Sequence, residues 1–142
     1  MSLVLERTWP YVLAAAWLYT WYHLLGARFP TDPSGLLSAS GTAAAVLVGF
    51  LATANAIVLG LSGTELFKRL SAAKYISLLY NYFYEAIAAS IVFLIVSIVG
   101  FFMPEGTANA GSFPVAWMAT GTLALFLFFR VNQLLFSLIR QA

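Results

Sequence analysis

Glu85 and Arg130 are the only charged side chains that fall deep within the long apolar segments of this chain. A charge at a bilayer centre costs about 2.5–3.5 kcal/mol on insertion scales, so an embedded carboxylate or guanidinium is expected to have a partner and marks a candidate functional site. The chemistry open to such a pair is ionic. A guanidinium can meet a carboxylate with two hydrogen bonds, a geometry lysine cannot copy. Other reactive groups are scarce. There are no cysteines and one histidine, His23, which excludes disulfides, thiolate catalysis and Cys-based metal sites, and one histidine builds no zinc or haem centre alone. No serine has a credible His/Asp partner and no Gly-rich phosphate loop follows a strand. The residues point to a protein that is not an enzyme and carries no cofactor.

Two further pairs of polar residues lead toward these charges. Counted from Lys74, Ser77 is three residues in, Asn81 seven and Glu85 eleven; counted back from Arg140, Ser137 is three, Gln133 seven and Arg130 ten. The spacings 77-81-85 and 130-133-137 each fall on one face of a helix. Two antiparallel neighbours would set Ser77 by Ser137, Asn81 by Gln133 and Glu85 by Arg130, with Asn55 at roughly the Asn81 level. This polar seam has two readings. It holds helices together, or it lines an ion or proton path or faces its counterpart in a neighbouring subunit.

The elements that must position these residues follow from composition. The chain has 142 residues, 62% hydrophobic and 8% charged, whereas a soluble domain carries about 25% charged residues. Apolar runs of about 18 or more residues read as transmembrane helices. Four are expected, at 10–26, 36–61, 74–102 and 113–139, forming one all-α, antiparallel membrane domain over residues 1–142. Pro10 suits a first helical position and Gly26 a stop. Ser62 to Glu65 matches a capping box, so 63–73 reads as a short amphipathic interfacial helix. No cleavable leader is evident at the start.

With the N-terminus in the cytoplasm, Arg7, Lys68, Arg69, Lys74 and Arg140 lie inside and Arg28 outside, a positive-inside bias that puts both termini in the cytoplasm. Lys68, Arg69 and Lys74 read as an orientation signal that touches anionic lipid, or as a contact surface for a cytosolic protein. Nothing suggests direct nucleic-acid binding. His23, beside Trp21 and Tyr22, reads as part of an interfacial belt.

The second segment carries a stripe of small residues: Gly41, Ala45, Gly49 and Thr53, with Ala52, Ala56 and Gly60 beside them. Such stripes let helix backbones approach closely in lipid. The stripe serves packing within the chain or a contact between copies of a homo-oligomer.

The run Gly49-Phe-Leu-Ala-Thr-Ala-Asn-Ala-Ile-Val-Leu59, the short basic connection after it and the Tyr-rich third segment resemble small four-helix membrane proteins of bacterial antiphage systems, such as the Kiwa membrane subunit and the four-helix partners of some CRISPR systems. The resemblance covers the architecture and residues 41–100. It implies a homo-oligomeric effector in the bacterial inner membrane that works with a cytosolic partner and alters membrane integrity, as a pore or ion channel in antiviral defence. The expected function is therefore an oligomer that forms or gates a pore. The alternatives are a non-conducting scaffold with a structural seam, and a small ion or solute transporter.

Overall fold

The computed structural model describes residues 3–24, 26–27, 29–60, 75–104 and 111–141. Four helices account for most of them: α1 (Leu3–His23), α2 (Ser34–Gly60), α3 (Tyr75–Phe101) and α4 (Phe113–Gln141). The interfacial segment 63–73, with Lys68 and Arg69, and Lys74 beyond it lie outside the described residues.

Three helices are long and apolar enough to cross a membrane: Ser34–Gly60, Ile76–Phe101 and Phe113–Ser137. At 27 residues, α2 and α3 each extend about 40 Å by helical rise, against a hydrocarbon core of about 30 Å. Helix α1 is not among the three. It begins seven residues earlier than the sequence suggests and so takes in Glu6 and Arg7. Pro10 does not start it but lies inside it, fully buried. The proline ring offers no N–H to the Glu6 carbonyl, a loss that a membrane helix tolerates when neighbours serve the freed backbone.

The helix ends follow local chemistry. Asp32 accepts the Ser34 N–H at 3.1 Å and the Ser34 hydroxyl at 2.6 Å, which starts α2 at Ser34. These two bonds hold the Asp32 carboxyl below the usual carboxylate range. Beyond α1, Gly26 takes φ +67°, the left-handed conformation that terminates helices. At the α3–α4 turn the Phe113 ring lies over Gly100, where a Cβ would collide with it.

Helix α3 packs against both α2 and α4, while α1 packs on α4 and not on α2, its neighbour in sequence. The core is built from α2, α3 and α4. Leu51, Leu79, Tyr82, Phe83, Ala86, Leu127 and Val131 form its main cluster. Ala44, Phe93 and Ala124 continue it. Phe93 fits because Gly121 has no side chain; a Cβ there would stand 2.7 Å from the ring.

The outer surface is apolar. Val46, Phe50, Ile57, Ile91, Ile95, Ile98, Leu125, Phe129 and Phe136 are all exposed. Only 11% of the most apolar window of α2 is buried, against 33% and 39% for α3 and α4. Such surface suits lipid or another apolar helix, not water.

Candidate functional site

The expected pair between α3 and α4 forms. Arg130 Nη2 stands 2.6 Å from Glu85 Oε2, and the arginine side chain is 1% exposed. The guanidinium carbon lies 3.9 Å above the centroid of the Tyr82 ring, a cation–π contact. Tyr82 faces inward because it follows the same stripe as Leu79 and Ala86.

Helix α1 supplies the rest of the site. Tyr11 donates its hydroxyl to Glu85 Oε2 at 3.2 Å. Arg7 brings a second guanidinium to 3.8 Å from Glu85 Oε1 and is 69% exposed. Arg130 Nη1 donates to the Arg7 carbonyl at 3.3 Å. That carbonyl lies one residue from the one that Pro10 leaves without its helical donor, so Arg130 serves the backbone of α1 where the helix is weakest. Two guanidiniums thus meet one carboxylate. Arg130 Nε is buried with no hydrogen bond. The guanidinium spends its donors on a carboxylate and a carbonyl from different helices, so it does not make the two-bond fork with Glu85.

Arg7 was expected only as a charge on the cytoplasmic side, and Tyr11 carried no expected role in the site. Both belong to the site. The missing signal was the true start of α1. Once the helix reaches back to Leu3, residues 7 and 11 fall on one face at i, i+4.

The outer positions of the expected seam face outward. Ser77, Asn81, Gln133 and Ser137 are all exposed. A residue four positions back along a helix is rotated by about 40° and one eight back by about 80°. That drift takes Asn81 and Ser77 off the packed face of α3, which follows Leu79, Tyr82, Phe83 and Ala86. On α4 the packed face follows Leu127, Arg130 and Val131, and Gln133 turns away from it. Asn55 is half-buried on α2, with its Oδ1 buried and without a hydrogen bond.

Among the described residues nothing packs closely on the small stripe of α2. Ala45, Gly49, Ala52, Thr53, Ala56 and Gly60 are exposed and Gly41 is half-buried. Nothing lies within 4 Å of where a Cβ would stand on Gly41, Gly49 or Gly60. The opposite side of α2, through Leu37, Ser40, Ala44 and Leu51, is the buried one. Leucines fill space against α3 that glycines would leave empty.

A second polar layer was not foreseen. The Ser40 and Ser97 hydroxyls are hydrogen-bonded at 3.0 Å, and the Trp117 indole donates to Ser40 Oγ at 3.2 Å. Both serines are buried. Isolated serines among apolar residues gave no sequence signal, because a helical serine can bond its own backbone; Ser40 also bonds the Leu37 carbonyl at 2.9 Å.

Among the described residues no three His, Asp or Glu side chains converge, so no metal centre is assigned. The described residues define a class: a helical bundle with three apolar helices of membrane length and an ionic clamp that ties three of the four described helices together. Comparison with protein-family models, curated proteins and solved structures gives no match for this chain.

Proposed function

We propose that this chain is a subunit of a homo-oligomeric membrane protein whose polar path lies between its copies, not through one of them. The observation that carries this reading is the outward position of Asn81 and Gln133 on two helices of membrane length. Polar side chains within a membrane span normally face a bundle interior or a water-filled cavity. Among the described residues the core where α3 meets α4 is filled by Arg130, Tyr82, Phe83 and Leu127, which supports a path between copies. The small stripe of α2, also outward, supports close approach of a neighbouring helix.

On this reading both termini face the cytoplasm of a bacterial inner membrane, and the chain acts with a cytosolic partner as a defence-type effector. The orientation rests on the positive-inside bias, and the partner and role on the family resemblance. A planar-bilayer recording tests the path. Reconstituted oligomer is expected to conduct, and replacing Asn81 and Gln133 by leucine is expected to cut the unit conductance while the oligomer stays intact. A correctly assembled oligomer with no conductance would overturn the proposal. It would favour the second reading, a non-conducting scaffold, which draws support from the closure of the Glu85–Arg130 pair within one chain.

A further inference from the structure

Helix α1 is held to the rest of the bundle unevenly. It packs on α4, and among the described residues its backbone does not approach that of α3. From residue 7 to residue 23 its buried side chains are Pro10, Ala14 and Trp21, one narrow stripe. Midway along, a cavity of about 440 Å³ lies between Trp17 of α1, Phe93 of α3 and the side of α4 that carries Leu125 and Phe129. Side chains that line a void forfeit the contacts that would fill it, so apolar packing does little to draw α1 toward α3 at this level.

Polar side chains make the join instead, near one end of the helix. Tyr11 donates to Glu85 Oε2 at 3.2 Å, and Arg7 Nη2 stands 3.8 Å from Glu85 Oε1. These two ties lie on either side of Pro10, where α1 lacks a helical hydrogen bond and where helices kink. At the other end of α1, Gly26 and Ala27 both take left-handed φ, +67° and +47°. They form a joint between α1 and Phe29, whose ring is held separately, edge-on to Phe113 and Trp117 at 6.2 and 5.5 Å between centroids. The part of α1 that borders the cavity thus runs between two interruptions of helical backbone, and the carboxylate of Glu85 fastens it beside the first.

We propose that residues 11–23 form a movable strap, hinged at Pro10 and at Gly26–Ala27, and that Glu85 latches it through Tyr11 and Arg7. Latched, the strap stands at one distance from α3 and sets the width of the cleft. Unlatched, it lifts away from α3 while the core of α2, α3 and α4 keeps its shape. A kink of about 20° at Pro10 displaces Tyr19, about 14 Å further along the axis, by about 5 Å. The latch acts within one chain and does not rest on assembly or conduction.

The chain has no cysteine, so pairs of spin labels can be placed at will. Tyr19→Cys with Ile95→Cys reports the distance from strap to α3, and Val46→Cys with Ile95→Cys that from α2 to α3; all three side chains are exposed. Double electron–electron resonance in micelles, with labelled chain diluted into unlabelled chain, reads both. The wild type is expected to give one narrow distance for each pair. Tyr11→Phe combined with Arg7→Gln cuts both ties and leaves the Glu85–Arg130 pair in place. It is expected to add a longer population, shifted by about 5 Å for a proline kink, to the strap pair alone. Pro10→Ala in that chain supplies the missing backbone donor and is expected to remove the longer population. An unchanged strap distance after the double change would overturn the proposal. So would a broad strap distance in the wild type, the same new population in the α2–α3 pair, or a longer population that survives Pro10→Ala.

Discussion

Three contacts converge on Arg130. It meets a carboxylate of α3, a backbone carbonyl of α1 and an aromatic face of α3. Removing one partner of a buried ion pair costs about 3–5 kcal/mol, because the other charge is left uncompensated. Glu85→Gln and Arg130→Gln singly are therefore expected to lower stability by about that much. The double change is expected to recover part of the loss, as measured by denaturant titration in micelles. Arg130→Lys is not expected to rescue, since an ammonium lacks the planar fork that reaches two acceptors while stacking on Tyr82. Full additivity of the two single changes would show that the pair is not coupled. This pair was legible in the sequence because depth and charge both singled it out. Its partners Arg7 and Tyr11 were not, because they depend on where α1 begins, and Pro10 looks like a helix start when read locally.

At the level of elements, the helices were legible from hydropathy and their faces were not. Long apolar runs fix where α2, α3 and α4 lie, and their bounds differ from expectation by at most two residues at either end. When nearly every residue of a helix is apolar, periodicity no longer says which side is buried. Polar residues were therefore assigned inward by default. For Asn81, Gln133, Ser77 and Ser137 the structure puts them outward. The true contact faces depend on shape, as at the α3–α4 crossing, where the Phe93 ring occupies the space above Gly121. Gly121→Ala would overlap that ring and is expected to destabilise the chain by about 1–3 kcal/mol, the usual cost of overpacking. Phe93→Leu in the same chain should relieve part of it. A wild-type melting temperature for Gly121→Ala would show that the helices are not held at this distance.

Across the whole molecule, the helices form an open arrangement. Helix α1 rests on α4, α2 rests on α3, and α2 keeps most of its surface uncovered. Small residues lie along the uncovered side and, among the described residues, nothing approaches Gly49. Gly49→Leu is thus expected to leave the fold of one chain unchanged. If copies meet at this stripe, it should reduce the oligomer to smaller species in light scattering after size-exclusion chromatography. An unchanged mass would move the subunit contact to another face. Gly49→Leu and Gly121→Ala each add a side chain, one on an uncovered face and one inside the core, so their effects separate assembly from folding.

The connection of α1 to α4 has a consequence for biosynthesis. A ribosome delivers Arg7 and Tyr11 first, Glu85 later and Arg130 last. Helix α1 packs on α4 and not on α2, so it has no helical neighbour to rest on until the final span arrives. During that interval Arg7 and Tyr11 are the groups available to hold the Glu85 carboxylate. Arg130 then completes the circuit by taking the carboxylate and the α1 carbonyl together. The first helix made is thereby secured by the last, and among the described residues Arg7 and Tyr11 are what a nascent chain halted before α4 would have to tie its opening helix to α3.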